Sequence, residues 1–141
     1  MKVGSITQLT TFSQIKDDID SLMKYKKYAI TPVPKPRMTK SDAWKKRPSV
    51  LRYWAFKDAV QLAKFKLPKR GAHVVFCLPM PKSWSKKKKE QMNGKAHEQT
   101  PDLDNLIKAL GDSVYQNDSG ISDIRASKIW GNEGAIFIFE S

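Results

Sequence analysis

Three prolines within five residues, Pro32, Pro34 and Pro36, set the tightest limit on how this chain can fold. None can donate to a sheet and each fixes its own φ, so 32–37 must be an extended edge or a loop. The short strand-like run Tyr28-Ala29-Ile30-Thr31 has to end in front of it. Further along, Pro68 stops one apolar segment, Pro79 and Pro81 close the next, and Pro101 precedes a third. The pieces between these stops are each long enough for one helix or one strand.

Before the first stop, Ser13 suits an N-cap and Ile15, Ile19, Leu22 and Met23 recur at helical spacing, with Lys24, Lys26 and Lys27 at the expected C-terminus. Residues 38–48 are polar and basic without a period and read as a loop. From Ser49 to about Lys66, the apolar positions Leu51, Trp54, Ala55, Val60, Leu62, Ala63 and Phe65 predict a helix with Trp54 in the core. The β-branched and aromatic run 72–78 is a buried strand, with His73 and Cys77 packed in it. Ser83-Trp84-Ser85 opens a charged helix through Met92, with Gly94 as its stop, and 97–101 is a loop. Leu103, Leu106, Ile107, Leu110 and Val114 form one apolar helical stripe. A turn over 116–120 leads to two strands, 121–130 and 135–139, and Gly131-Asn132-Glu133-Gly134 between them is a hairpin signal. Helices and strands interleave around a small mixed sheet, an α/β or α+β arrangement sized by its 141 residues for one domain.

Charge separates this chain from an ordinary small domain. Lysine and arginine number 26 against 14 acidic residues, a formal +12. Residues 33–89 hold 17 basic and 2 acidic residues, whereas 90–141 hold 4 basic and 9 acidic. A basic half seeks a polyanion, most often nucleic acid. An acidic half would repel the same phosphates unless it had a task of its own. The single cysteine excludes an internal disulfide and a cysteine-built zinc site, and two histidines are too few for a histidine-rich metal centre. No apolar run approaches the roughly 18 residues of a membrane span. The start, Met1-Lys2-Val3-Gly4-Ser5, carries no apolar secretory stretch, so the expected location is cytoplasmic.

The acidic half concentrates in Pro101-Asp102-Leu103-Asp104-Asn105-Leu106-Ile107-Lys108. Two residues on a continuous helix lie about 200° apart, so Asp102 and Asp104 converge only if Asp102 sits in the lead-in or N-cap. Lys108 then follows Asp104 by one turn on the same face. Asp118 comes after the helix and can approach its N-terminus if the chain folds back. Three carboxylates at about 5 Å would repel by roughly 3 kcal/mol per pair at an effective dielectric near 20, so they would need a proton or a cation. All-oxygen ligands select Mg²⁺ or Mn²⁺, and such an ion beside a basic face is what phosphodiester hydrolysis requires. Taken singly, each residue has a plainer use: a helix cap for the first two, an i, i+4 partner for Lys108, and turn chemistry for Asp118.

The run 101–110, followed by Asn117-Asp118-Ser119 and Ile121, resembles the RusA family of Holliday junction resolvases, a family common in prophages. Met80-Pro81-Lys82-Ser83-Trp84-Ser85 with the lysine run behind it is similar to its phage members. The resemblance runs from about Ile30 to Trp130. It implies an N-terminal helical extension over 1–27, a nuclease domain over 28–141, an α/β fold and a two-fold dimer. It also implies a metal site of Asp102, Asp104 and Asp118 assisted by Lys108, and branched DNA as substrate. Asn117 stands where the family has the first Asp of a pair, and Gly111 where it has a larger apolar residue.

Lys35, Arg37, Lys45, Lys46 and Arg47 crowd the proline-flanked loop and suit a clamp on a DNA backbone, as does the run Lys86, Lys87, Lys88 and Lys89. That run serves equally as a solvated helix face. Trp44 and Trp84 could stack on exposed bases, and His97 reads as a polar loop residue able to touch a phosphate. The reading that joins these features is a Mg²⁺-dependent crossover-junction endodeoxyribonuclease. A nuclease for flaps or single strands and a non-catalytic basic binding module are its alternatives.

Overall fold

The computed structural model describes residues 25–37, 47–115 and 119–140. Their elements run β1 (Tyr25–Tyr28), α1 (Pro48–Leu62), β2 (Ala72–Pro79), α2 (Lys86–Met92), α3 (Leu103–Tyr115), β3 (Ile124–Gly131) and β4 (Ala135–Glu140). The four strands form one mixed sheet in the order β1-β4-β2-β3, and with the helices they make an α+β fold. Only β2 and β3 run parallel; β4 pairs antiparallel with both β1 and β2. A parallel pair needs a crossover connection, and here α2 and α3 supply it. The helix expected over 13–23 lies outside the described residues. Tyr25–Lys27, read from sequence as the end of that helix, belong to β1.

β2 is paired on both edges and buried along most of its length. Val74 and Phe76 are fully buried, and beside them Ile136 and Ile138 of β4 close the same face. Leu106, Ala109 and Leu110 of α3 pack onto this layer with Tyr53, Phe56 and Val60 of α1, all in one core. Gly111 does not interrupt α3; it is buried within it, as are Asp112 and Ser113. The Ser113 hydroxyl donates back to the Ala109 carbonyl at 2.6 Å. On the opposite sheet face Tyr25, His73, Phe137 and Phe139 form an aromatic layer, with ring centres 5.4–6.2 Å apart.

Two expectations change. α1 is apolar around its circumference, so spacing alone could not choose its inner face. The buried residues are Val50, Tyr53, Phe56 and Val60, while Leu51, Trp54 and Leu62 are exposed. The glycine-flanked connection 131–134 is not a hairpin, because β2 lies between β3 and β4. Four peptide steps reach about 13 Å, enough to straddle two strand spacings of about 4.8 Å each. Gly131 makes this possible, since a Cβ there would run into the Cys77 sulfur.

The same connection anchors the proline segment. A Cβ on Gly134 would stand 2.7 Å from Thr31 Cα, directly ahead of Pro32. The segment then follows the start of α3, where the Lys35 amide donates to the Asn105 carbonyl at 3.1 Å. Gly134→Ala should force Thr31 aside and lower stability by about 1–3 kcal/mol in urea denaturation. An unchanged midpoint would show that the two segments do not touch in solution.

Candidate active site

Asp102 occupies the position in front of α3, and its carbonyl accepts the Leu106 amide at 3.2 Å. This is the lead-in arrangement that allows two carboxylates spaced by one residue to share one end of a helix. Asp104 lies in the first turn, where the macrodipole favours an anion. Both side chains face solvent, because the stripe through Leu106 and Leu110 turns the other side inward. Lys108 Nζ stands 4.0 Å from Asp104 Oδ2, with both groups more than half exposed, so the pair adds little stability and leaves the ammonium accessible. Asp118 lies outside the described residues, as does Asn117. Among the described residues, no three His, Cys, Asp or Glu side chains gather as a metal cluster. Asp102 and Asp104 offer oxygen donors without nitrogen or sulfur beside them, which suits a hard divalent cation.

Two recesses flank this helix start. A cavity of about 780 Å³ opens on one side, with Asp102 and Asn105 in its wall. A smaller notch of about 420 Å³ lies between the proline segment and α3, lined by Lys35, Pro36, Arg37, Asn105 and Lys108. Asn105 and Lys35 border both. Of the expected DNA contacts, Lys35 and Arg37 therefore meet Lys108 at one basic notch. Lys35 also bonds Asp112 at 2.6 Å, which neutralises a carboxylate buried inside the helix packing. Tyr53 faces the same pair; burial and the Asp112 carboxylate push its hydroxyl above the ordinary tyrosine range.

Arg47 donates to the Arg37 carbonyl at 2.8 Å, which ties together the chain on either side of 38–46. Lys45, Lys46 and Trp44 lie outside the described residues. Lys86, Lys87 and Lys88 are exposed on α2, and Lys89 is half-buried. Ser85 caps that helix by accepting the Lys88 amide at 3.1 Å. Lys88 Nζ sits 4.3 Å above the Trp84 ring, so part of the lysine run is held against an aromatic face. Trp84 in turn lies 4.8 Å from Trp130, and Trp130 lies 4.0 Å from the His97 ring.

His97 is thus not a solvated loop residue. It is 5% exposed, and burial first, then Lys128, hold its pKa below the ordinary histidine value. Its amide donates to the Lys128 carbonyl at 3.0 Å, which continues a short pairing of residues 94–97 along β3.

Lys128 is the residue that sequence reading missed. Its ammonium donates to the carbonyls of Gln99 at 2.6 Å and Pro101 at 2.8 Å. These two bonds hold the loop that delivers Asp102, and they come from a strand 26 positions later in the chain. The signal available in sequence was one lysine within an otherwise uncharged stretch, Ala126 to Trp130, which is weak. Lys128→Met should speed amide hydrogen exchange across 97–105 by at least about tenfold, while the core amides of β2 keep their protection. Equal exchange in both proteins would mean that the loop holds itself.

The family model described as Endodeoxyribonuclease RusA matches residues 29–139. No curated protein and no solved structure matches the chain.

Proposed function

The chain belongs to the RusA family of endodeoxyribonucleases, and from that premise we propose that it resolves four-way DNA junctions by metal-dependent paired nicking. The observation that carries this reading is the placement of Asp102 and Asp104 at the open end of α3, beside a notch lined by Lys35, Arg37 and Lys108. Carboxylates that attract a cation thereby adjoin ammonium and guanidinium groups that attract phosphate. Asp102, Asp104 and Asp118 would hold Mg²⁺ or Mn²⁺, and when bound that ion supplies activation of water and stabilisation of charge on the phosphate. Lys35 and Arg37 orient the backbone at the notch. Lys108, kept in place by Asp104, offers a proton-rich cation where charge grows on the departing oxygen. The exposed lysines of α2 extend phosphate contact away from the cut.

A four-way junction has two-fold symmetry, and a homodimer would present two equivalent sites to it. Two chains with a formal charge of +12 each repel one another, so the contact between them has to be apolar. Ile136 and Ile138 are committed to the core. Phe137 and Phe139 on the outer sheet face, and Leu51 with Trp54 on α1, are the apolar groups left for it. No helix among the described residues is long and apolar enough to cross a membrane.

Asp102→Asn, Asp104→Asn and Asp118→Asn should each slow cleavage at least about a hundredfold, with junction binding retained or tightened as a repulsive charge is lost. Gel-shift and nicking assays on the same preparations measure both. A variant that cuts at the wild-type rate in Mg²⁺ removes its residue from the site. Binding should also depend steeply on salt. If about six phosphates are neutralised, log K falls against log salt with a slope near −5, and replacing Lys86–Lys89 with Ser flattens it by about two units or more. An unchanged slope would return the lysine run to solvent.

A further inference from the structure

The larger cavity beside Asp102 is built unlike a phosphate site. Val33, Leu78, Pro81 and the Trp130 ring give it apolar walls, and His97 completes them. At about 780 Å³ it falls in the range of small-molecule pockets, which are mostly apolar with a few fixed polar groups. His97 is that polar group. Its Nδ1 is buried and has no hydrogen-bond partner among the described residues, an arrangement that costs stability unless a ligand completes it. Burial beside Lys128 favours the neutral ring, which can exchange a hydrogen bond with an uncharged partner. Lys35 and Arg52, by contrast, bring cations to the lining. The cavity therefore asks for a planar, hydrogen-bonding body attached to an anion.

We propose that this cavity receives an unpaired nucleobase of the strand being cut, from the nucleotide next to the scissile phosphate. The inference rests on the nuclease reading above and adds to it the part of the substrate that is read. Asn105 and Lys35 border both recesses, so a nucleotide can lay its phosphate in the basic notch and its base in the apolar cavity. Bases at a branch point are the cheapest to unstack, because pairing there is already interrupted. Trp130 is held rigid between His97 and Trp84, so it offers a wall that does not have to be ordered on binding.

The test uses the full chain and synthetic four-way junctions in which the nucleotide on either side of the cut is intact or abasic. Wild-type protein should cut the junction lacking the occupying base at least about tenfold more slowly in single turnover, in line with the strength of base–aromatic contact. His97→Leu, which removes the polar group, and Val33→Phe, which fills the space, should each cut intact and abasic junctions at rates within about threefold. Melting curves show which variants are folded, and either one suffices. Equal wild-type rates on intact and abasic junctions overturn the proposal while leaving the nuclease reading standing. So does a folded variant that keeps the wild-type difference. Failure to cut any junction in Mg²⁺ or Mn²⁺ overturns the nuclease reading, and this inference with it.

Discussion

β2 is hydrogen-bonded on both edges, and most of this structure follows from finding it neighbours. A strand that buries Val74 and Phe76 completely cannot face water at either side. β3 satisfies one edge in parallel, which obliges the intervening chain to cross over as α2 and α3. β4 satisfies the other edge, which obliges 131–134 to pass over the end of β2. That passage brings Gly134 against Thr31 and fixes where the proline segment begins. The segment then has one course, along the first turns of α3, where Lys35 meets Asn105 through the backbone and Asp112 through its ammonium. The basic notch is thus a consequence of how the central strand is covered.

The acidic side of the site is positioned by a different element with the same economy. Lys128 extends from β3 and gathers the carbonyls of Gln99 and Pro101, so Asp102 enters α3 from a loop tied to the sheet. Asp104 and Lys108 follow by helical geometry alone. Opposite charges are therefore brought to one helix end by two independent supports, the proline segment and the Lys128 clamp. Keeping the carboxylates exposed avoids the desolvation cost of a buried anion and leaves them open to a cation.

How far sequence could reach follows from which distances matter. The stripe Leu106–Leu110 and the placement of Asp102 ahead of the helix were legible, because both depend on helical spacing within a dozen residues. The inner face of α1 was not, because Leu51, Trp54 and Leu62 match its buried residues in hydrophobicity and local pattern carries no vote. The connection at 131–134 was misread for a related reason. Glycine flanks suit a hairpin and a step across a strand equally, and only the insertion of β2 decides between them. His97 and Lys128 act through contacts with distant segments, so nothing near them in the chain announced their roles. Asp118 was singled out by motif and stays a proposal of sequence, since it lies outside the described residues.

The central claim is that this helix end, with its two flanking recesses, cuts branched DNA. The most direct test is a cleavage panel with purified wild-type protein in Mg²⁺, comparing a four-way junction, a flapped duplex and a linear duplex of the same sequence. The account predicts that the junction is resolved into two nicked duplexes by symmetric cuts and that the linear duplex is left intact. Cleavage of the flap with the junction untouched, or no cleavage of any of the three, would contradict it.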